Sequence, residues 1–194
     1  MIILHQNDPK GYGALAPLLV DRGYIPIPCQ GKRPLVTDWQ NMTPERSLSL
    51  VHEFPDANVG IDLGDKLAVL DIDIKDHAAA AGEVAQVGRD NLSEGAVITR
   101  TGVTSLKIFY RTETGIKKRK LRLRHGNVET LGKGQQAVVA GTLPCGSEYL
   151  GDLPPIDELP CINEELIDRS CDAVQPKEPE PEAEPALVDD PAWA

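Results

Sequence analysis

Asp71-Ile72-Asp73 closes the apolar run Leu67-Ala68-Val69-Leu70. The two-residue period of a strand puts both carboxylates on one face and Leu70, Ile72 and Ile74 on the other. Two like charges held this close raise each other's proton affinity unless a cation lies between them, so an ionised pair predicts bound Mg²⁺ or Mn²⁺. The apolar side fixes the register, because a slip of one residue would drive both aspartates into the core. Ser105-Leu106-Lys107-Ile108-Phe109-Tyr110 is a second segment of this kind. On a strand Ser105 and Lys107 project side by side. With Arg100 and the flexible Gly102 ahead of them, they can cradle a triphosphate through hydrogen bonds and a point charge. Taken alone, the pattern equally describes a solubilising surface lysine. Glu129 sits between Val128 and Thr130, before the turn Gly132-Lys133-Gly134. It is a candidate third metal ligand or an ordinary outward-facing strand glutamate.

These residues need elements to position them. Leu15, Leu18 and Leu19 predict a helix from Tyr12 to Arg22, stopped by Gly23 and feeding a strand from Tyr24 to Pro28. Gly31-Lys32-Arg33-Pro34 is a basic turn. Thr43 caps a second helix that starts at Pro44 and should end near Phe54-Pro55. Asn58 to Leu63 and Lys66 to Ile74 read as strands joined at Gly64-Asp65, a two-residue hairpin signal that makes the aspartate strand the second arm of a hairpin. An alanine-rich helix from Asp76 to Val87 follows, then strands at Gly95–Thr101, Leu106–Thr112, Asn127–Leu131 and Gln136–Ala140. The fold class is α/β, of the α+β kind.

The 194 residues suffice for one domain, expected over 1–152, and a Pro-rich acidic tail over 153–194 that is mostly disordered, with a short helix near Glu164 to Cys171. Nothing approaches the roughly 20 apolar residues that span a bilayer, and the first residues lack a signal peptide's pattern, so a cytoplasmic protein without membrane contact is expected. Cys29, Cys145, Cys161 and Cys171 have neither disulfide nor zinc spacing. The net charge of −10 belongs to the tail, because residues 152–194 hold 13 acidic and 2 basic side chains. Between Arg100 and Arg124 there are nine Lys or Arg against the single acid Glu113. That stripe suits a phosphate backbone or is a solvated basic hairpin, and charge alone does not choose. His125, in this stripe, and His77 read as incidental. Trp39 reads as a core anchor.

Several motifs in order resemble a known family. The first half runs through Gly23-Tyr24-Ile25-Pro26-Ile27-Pro28, Gly31-Lys32-x-Pro34, Trp39, Asn58-Val59-Gly60-Ile61 and Leu70-Asp71-Ile72-Asp73. The second runs from Thr99-Arg100-Thr101-Gly102 and Lys107-x-x-Tyr110-Arg111 to Val128-Glu129-x-Leu131-Gly132 and Gly141-Thr142-x-Pro144-x-Gly146-x-x-Tyr149. Together they resemble the N-terminal domain of bifunctional DNA primase/polymerases (prim-pol), a branch of the archaeo-eukaryotic primase superfamily, in the form carried by phages and plasmids. The resemblance covers roughly residues 11–151.

That resemblance implies a recognition-motif-like (RRM-like) catalytic sheet with a smaller N-terminal α/β part and a site in the cleft between them. It implies that Asp71, Asp73 and Glu129 hold Mg²⁺ or Mn²⁺, and that Arg100, Ser105, Lys107 and Lys32 bind the nucleotide. The family's small-x-histidine motif is Ser105-Leu106-Lys107 here, and Leu143 replaces a second histidine. Lysine supplies charge to a phosphate but not a histidine's proton chemistry. The implied activity is template-directed nucleotidyl transfer from nucleoside triphosphates on single-stranded DNA. No Gly-x-x-x-x-Gly-Lys motif is present, so a replicative helicase would be another chain. The alternatives are a catalytically degenerate nucleic-acid-binding or nucleotide-binding domain that recruits that helicase, and a metal-dependent phosphohydrolase or nuclease. Trp193, near the end of the tail, can act as a docking anchor or belong to a plain solubilising linker.

Overall fold

Helix α1 (Tyr12–Asp21) turns Tyr12, Leu15, Ala16 and Leu19, spaced three, one and three apart, into the core. The computed structural model describes residues 11–74, 82, 86, 94–123 and 126–168. These form two antiparallel sheets with few helices. The four-stranded sheet has the order β2 (Arg33–Pro34), β1 (Ile25–Gln30), β3 (Asn58–Asp62), β9 (Gln136–Ala140). The six-stranded sheet has the order β10 (Tyr149–Leu150), β5 (Ala96–Arg100), β6 (Leu106–Arg111), β4 (Leu67–Asp73), β8 (Gly126–Leu131), β7 (Arg119–Leu123).

Pro26 and Pro28 fit inside β1 because alternate residues direct their backbone polar groups to the same side. Ile25, Ile27 and Cys29 are left to complete the ladder with β3. On the proline side, Leu35 N–H donates to the Pro28 carbonyl at 2.9 Å. Ser47 Oγ, from helix α2 (Pro44–Ser49), donates to the Pro26 carbonyl at 2.7 Å. Thr43 Oγ1 accepts from Arg46 N–H, so the expected cap is present. Helix α2 ends at Ser49, short of the expected Phe54-Pro55. A separate turn, Phe54 N–H to Leu50 carbonyl at 3.0 Å, carries the chain onward. Trp39 is half-buried against the main core.

The expected hairpin of β3 and β4 does not form. β3 pairs with β1 and β9, whereas β4 lies in the other sheet between β6 and β8. Leu67 N–H donates to the Leu63 carbonyl at 3.1 Å, which closes one helix-like turn across Gly64-Asp65 and sends the chain from sheet to sheet. The reason is burial. Every residue of β3 and the first four of β4 are buried, and two strands with both faces covered need more partners than one hairpin supplies.

Strand β4 explains its own composition. Leu67 and Val69 join Ile98, Phe109 and Leu131 in the core between the sheets. Ala68, Leu70, Ile72 and Ile74 join Ile108, Tyr110, Ile116, Val128, Ile162 and Ile167 in a second core on the far side. From Asp71 onward only the far side stays apolar, so the alternation begins where the intersheet core ends. Packing continues past residue 152, the expected end of the domain. Leu153, Leu159, Ile162 and Ile167 are buried, and Arg111 forms an isolated bridge with Cys161. Residues 164–168 form a helical turn. The helix expected from Asp76 to Val87 lies largely outside the described residues, as do His77, His125, Cys171 and Trp193. Cys29, Cys145 and Cys161 are unbridged. Among the described residues no helix is long and apolar enough to cross a membrane.

Candidate active site

Antiparallel register assembles the site. Lys107 on β6 and Glu129 on β8 lie directly opposite Asp71 on either side of β4, and Lys120 on β7 lies opposite Glu129. Cross-strand neighbours of this kind have Cβ atoms about 4.5–5.5 Å apart and share a face. The row therefore reads Lys107, Asp71, Glu129, Lys120, two carboxylates between two ammonium groups. One step along, Asp73 lies opposite Asn127, which lies opposite Arg122. Gly126, at φ +153, lets the start of β8 run against β4, since a Cβ there would stand 2.3 Å from the Asp73 carbonyl oxygen.

Six of the seven candidate residues line one cleft. Lys32, Asp71, Asp73, Arg100, Ser105 and Lys107 line it together with Ile98, Leu106 and Tyr149. Lys107 Nζ donates to Asp71 Oδ1 at 3.0 Å, and Ser105 Oγ donates to Asp73 Oδ1 at 2.9 Å. Both donors are buried. Lys32 arrives from the other sheet. Its turn is fixed by Asn58, whose Nδ2 donates to the Gly31 carbonyl at 3.0 Å and the Thr142 carbonyl at 2.9 Å, and by Gln136 Nε2, which donates to the Lys32 carbonyl at 2.8 Å. The Lys32 ammonium is held below its usual range, first by desolvation and then by Lys107 and Arg100, against the pull of Asp71 and Asp73. Three cations thus face two carboxylates, an arrangement with one positive charge to spare for an anion.

Glu129 is not among the lining residues of this cleft. Its carboxylate faces the β7 edge, with Lys120 Nζ 2.6 Å from Oε1 and Lys118 Nζ 3.1 Å from Oε2. The Lys120 hydrogen bond is the main reason its pKa lies below the ordinary carboxylate range, with Lys118 adding to it and burial opposing. Among the described residues no three His, Cys, Asp or Glu side chains stand together as a metal site. The donor set nonetheless suits a hard divalent cation. Asp71, Asp73 and Glu129 supply carboxylate oxygens from one sheet face, and Asp71 and Glu129 are in direct register.

Sequence reasoning missed Tyr149, Lys118 and Lys120 as members of the site. Tyr149 lies on β10, opposite Arg100. Burial pushes the pKa of its hydroxyl up to about 12, and Arg100 approaches without a well-formed hydrogen bond, leaving that oxygen buried and unpartnered. Lys107 Nζ stands 5.8 Å from the ring centroid, within cation–π reach. The signal for β7 was present as alternation of Lys118, Lys120 and Arg122 with Arg119 and Leu121, but the density of charge concealed it. Arg119 takes the other side, where it pairs with Asp168 and, at 3.8 Å, with Glu164. Leu143, at the second missing histidine, is buried in the intersheet core. A more apolar cleft lies beside α1, but its charged lining residues, Arg22 and Asp152, bind each other at 2.6 Å.

A carboxylate pair ringed by cations, at the junction of two antiparallel sheets, gives this α/β domain a cleft whose charge suits an anion. Comparison with known families gives the assignment. Residues 16–161 match the model of the bifunctional DNA primase/polymerase N-terminal domain, and the chain belongs to that family. No curated protein matches the chain. Membership makes this a domain of the primase/polymerase type of nucleotidyltransferase, which implies nucleotide and DNA binding.

Proposed function

We propose that this domain performs metal-dependent, template-directed primer synthesis or extension in a phage or plasmid replication module. In this reading a primer 3′-hydroxyl attacks the α-phosphate of a nucleoside triphosphate and pyrophosphate leaves. The observation that carries it is the convergence of Lys32 from one sheet with Lys107, Arg100 and Ser105 from the other on Asp71 and Asp73. Asp71, Asp73 and Glu129 would hold Mg²⁺ or Mn²⁺, which when bound neutralise charge on the phosphorus oxygens and lower the hydroxyl's pKa. Lys32, Lys107 and Arg100 bind and orient the triphosphate, and Ser105 fixes Asp73. Buried Ile98 and the Tyr149 ring exclude water from one side of the cleft. A single-stranded DNA template, a replicative helicase on another chain and a cytoplasmic setting complete the proposal.

One observation favours a second reading. Lys107 occupies the position of the family histidine and is hydrogen-bonded to Asp71, while Glu129 is bound to two lysines. Carboxylates so neutralised by lysines suit a degenerate domain that binds nucleic acid and recruits a helicase. Primer extension on a single-stranded template with Mn²⁺ and labelled nucleotides separates the readings. Product from the parent but not from Asp71→Ala/Asp73→Ala supports catalysis at this site. Salt-sensitive DNA binding without incorporation supports the binding module, and release of mononucleotides supports a nuclease. Product that survives the double substitution excludes the proposed site.

A further inference from the structure

Glu129 and the β7 edge form a two-way contact. Each carboxylate oxygen is occupied, Oε1 by Lys120 and Oε2 by Lys118. The lysine side chains are 44% and 54% exposed against 22% for Glu129, so the ammonium groups lie at the rim and the carboxylate inside it. Strand β7 is the last strand of its sheet, and Arg122 continues the same face two residues beyond Lys120. The glutamate's other cross-strand neighbour is Asp71. With its carboxylate directed at the β7 edge, Glu129 has to turn from the two ammonium groups to reach a cation beside Asp71, so the two compete for it.

We propose that Lys118 and Lys120 are a phosphate site for a single-stranded nucleic acid lying along the β7 edge, closed by Glu129 and opened when Glu129 turns to the metal. The proposal rests on the reading of Glu129 as a metal ligand and extends it to regulation. Strand and divalent cation then promote each other's binding, since a backbone phosphate on the lysines releases the carboxylate and a cation on the carboxylate releases the lysines. Linkage makes the effect equal in both directions. The domain is thereby biased to assemble its metal site only where a strand is in place.

The test is fluorescence anisotropy with a labelled oligo-dT strand, in chelator and in Mn²⁺, and Mn²⁺ titration followed by electron paramagnetic resonance with and without the strand. For the parent, Mn²⁺ should tighten strand binding at least about fivefold, the lower end of ordinary coupling. Glu129→Gln should bind the strand in chelator as tightly as the parent does in Mn²⁺, and gain no further from the ion. Lys118→Gln/Lys120→Gln should bind Mn²⁺ more tightly than the parent without any strand. It should also lose about 1.4 from the logarithmic salt slope, the share of two phosphate contacts on a single strand. Excess nucleoside triphosphate should leave the strand bound, whereas its displacement from the β7 lysines would assign them to free nucleotide and overturn the proposal. Glu129→Gln that binds the strand no better than the parent in chelator would also overturn it. Primer extension is scored separately. Coupling without extension removes catalysis and keeps this device, and extension without coupling does the reverse.

Discussion

Replacing Lys107 with Met keeps the stem and removes the charge, and the consequences run in opposite directions for stability and for metal. The Lys107–Asp71 pair is 3.0 Å long with side chains only 10% and 23% exposed. Exposed pairs contribute ~0.2–1 kcal/mol, whereas stripping one partner from a buried pair costs ~3–5 kcal/mol. This pair lies between the two, so Lys107→Met should lose about 2 kcal/mol in urea unfolding with chelator present. For a domain of this size that loss corresponds to a Tm lower by about 4–8 °C. The substitution also removes the ammonium group hydrogen-bonded to Asp71, so Mn²⁺ should bind about tenfold more tightly than to the parent. Saturating Mn²⁺ should therefore recover about 1.4 kcal/mol of the deficit, the equivalent of that tenfold change. The unfolding series is run for parent, Lys107→Met, Asp71→Asn and the double variant. A coupling energy under about 0.5 kcal/mol, within the scatter of independent sites, would refute the reasoning. An equal Mn²⁺ shift in parent and Lys107→Met would do the same.

Three further outcomes follow from the site's supports. Lys32→Ala should weaken nucleoside triphosphate binding about tenfold, ~1.4 kcal/mol, with little change in unfolding; calorimetric titration reads the first and urea unfolding the second. Asn58→Ala removes both hydrogen bonds from Nδ2 and the one that Oδ1 accepts from Thr142 N–H at 3.0 Å. At ~1 kcal/mol each, it should cost ~2–3 kcal/mol and weaken nucleotide binding through the displaced Lys32 turn, measurable by urea unfolding and the same titration. Glu129 has a folded pKa depressed below 4.5, so the stability it adds is present above 4.5 and lost as pH falls through the folded value. The stability difference between parent and Glu129→Gln should be constant near neutral pH and shrink below about 4.5, and a difference unchanged down to pH 3 would contradict the lysine contacts.

The parts of the fold that the sequence disclosed were those written into local patterns. The period of β4 shows Asp71 and Asp73 on one face because Ile72 and Ile74 mark the other. Thr43-Pro44 marks the start of α2 because a cap is a local device. The β3–β4 connection was misread because Gly64-Asp65 is a local turn signal, while the pairing of each strand is decided by distant partners in separate sheets. Residues 153–163 gave no periodic signal. Leu153, Leu159, Ile162 and Ile167 are spaced irregularly among prolines, and they pack as single anchors along the two cores. Lys32 entered the site through family resemblance rather than through its own pattern, since nothing local ties a turn lysine to a strand four elements away. Tyr149 and the lysine pair on Glu129 were invisible for a similar reason, because register across β10, β5 and the β7–β8 hairpin places them.

The central claim is that Asp71, Asp73 and Glu129 gather divalent ions beside a cationic wall that receives a triphosphate. A crystal of the protein grown with MnCl₂ and a non-hydrolysable nucleoside triphosphate tests it most directly, by anomalous scattering at the manganese edge. The account predicts manganese bound by Asp71 and Asp73, Glu129 turned from Lys118 and Lys120 toward it, and the triphosphate against Lys32, Arg100 and Lys107. Manganese absent from these carboxylates, or a nucleotide bound away from the three cations, would contradict it.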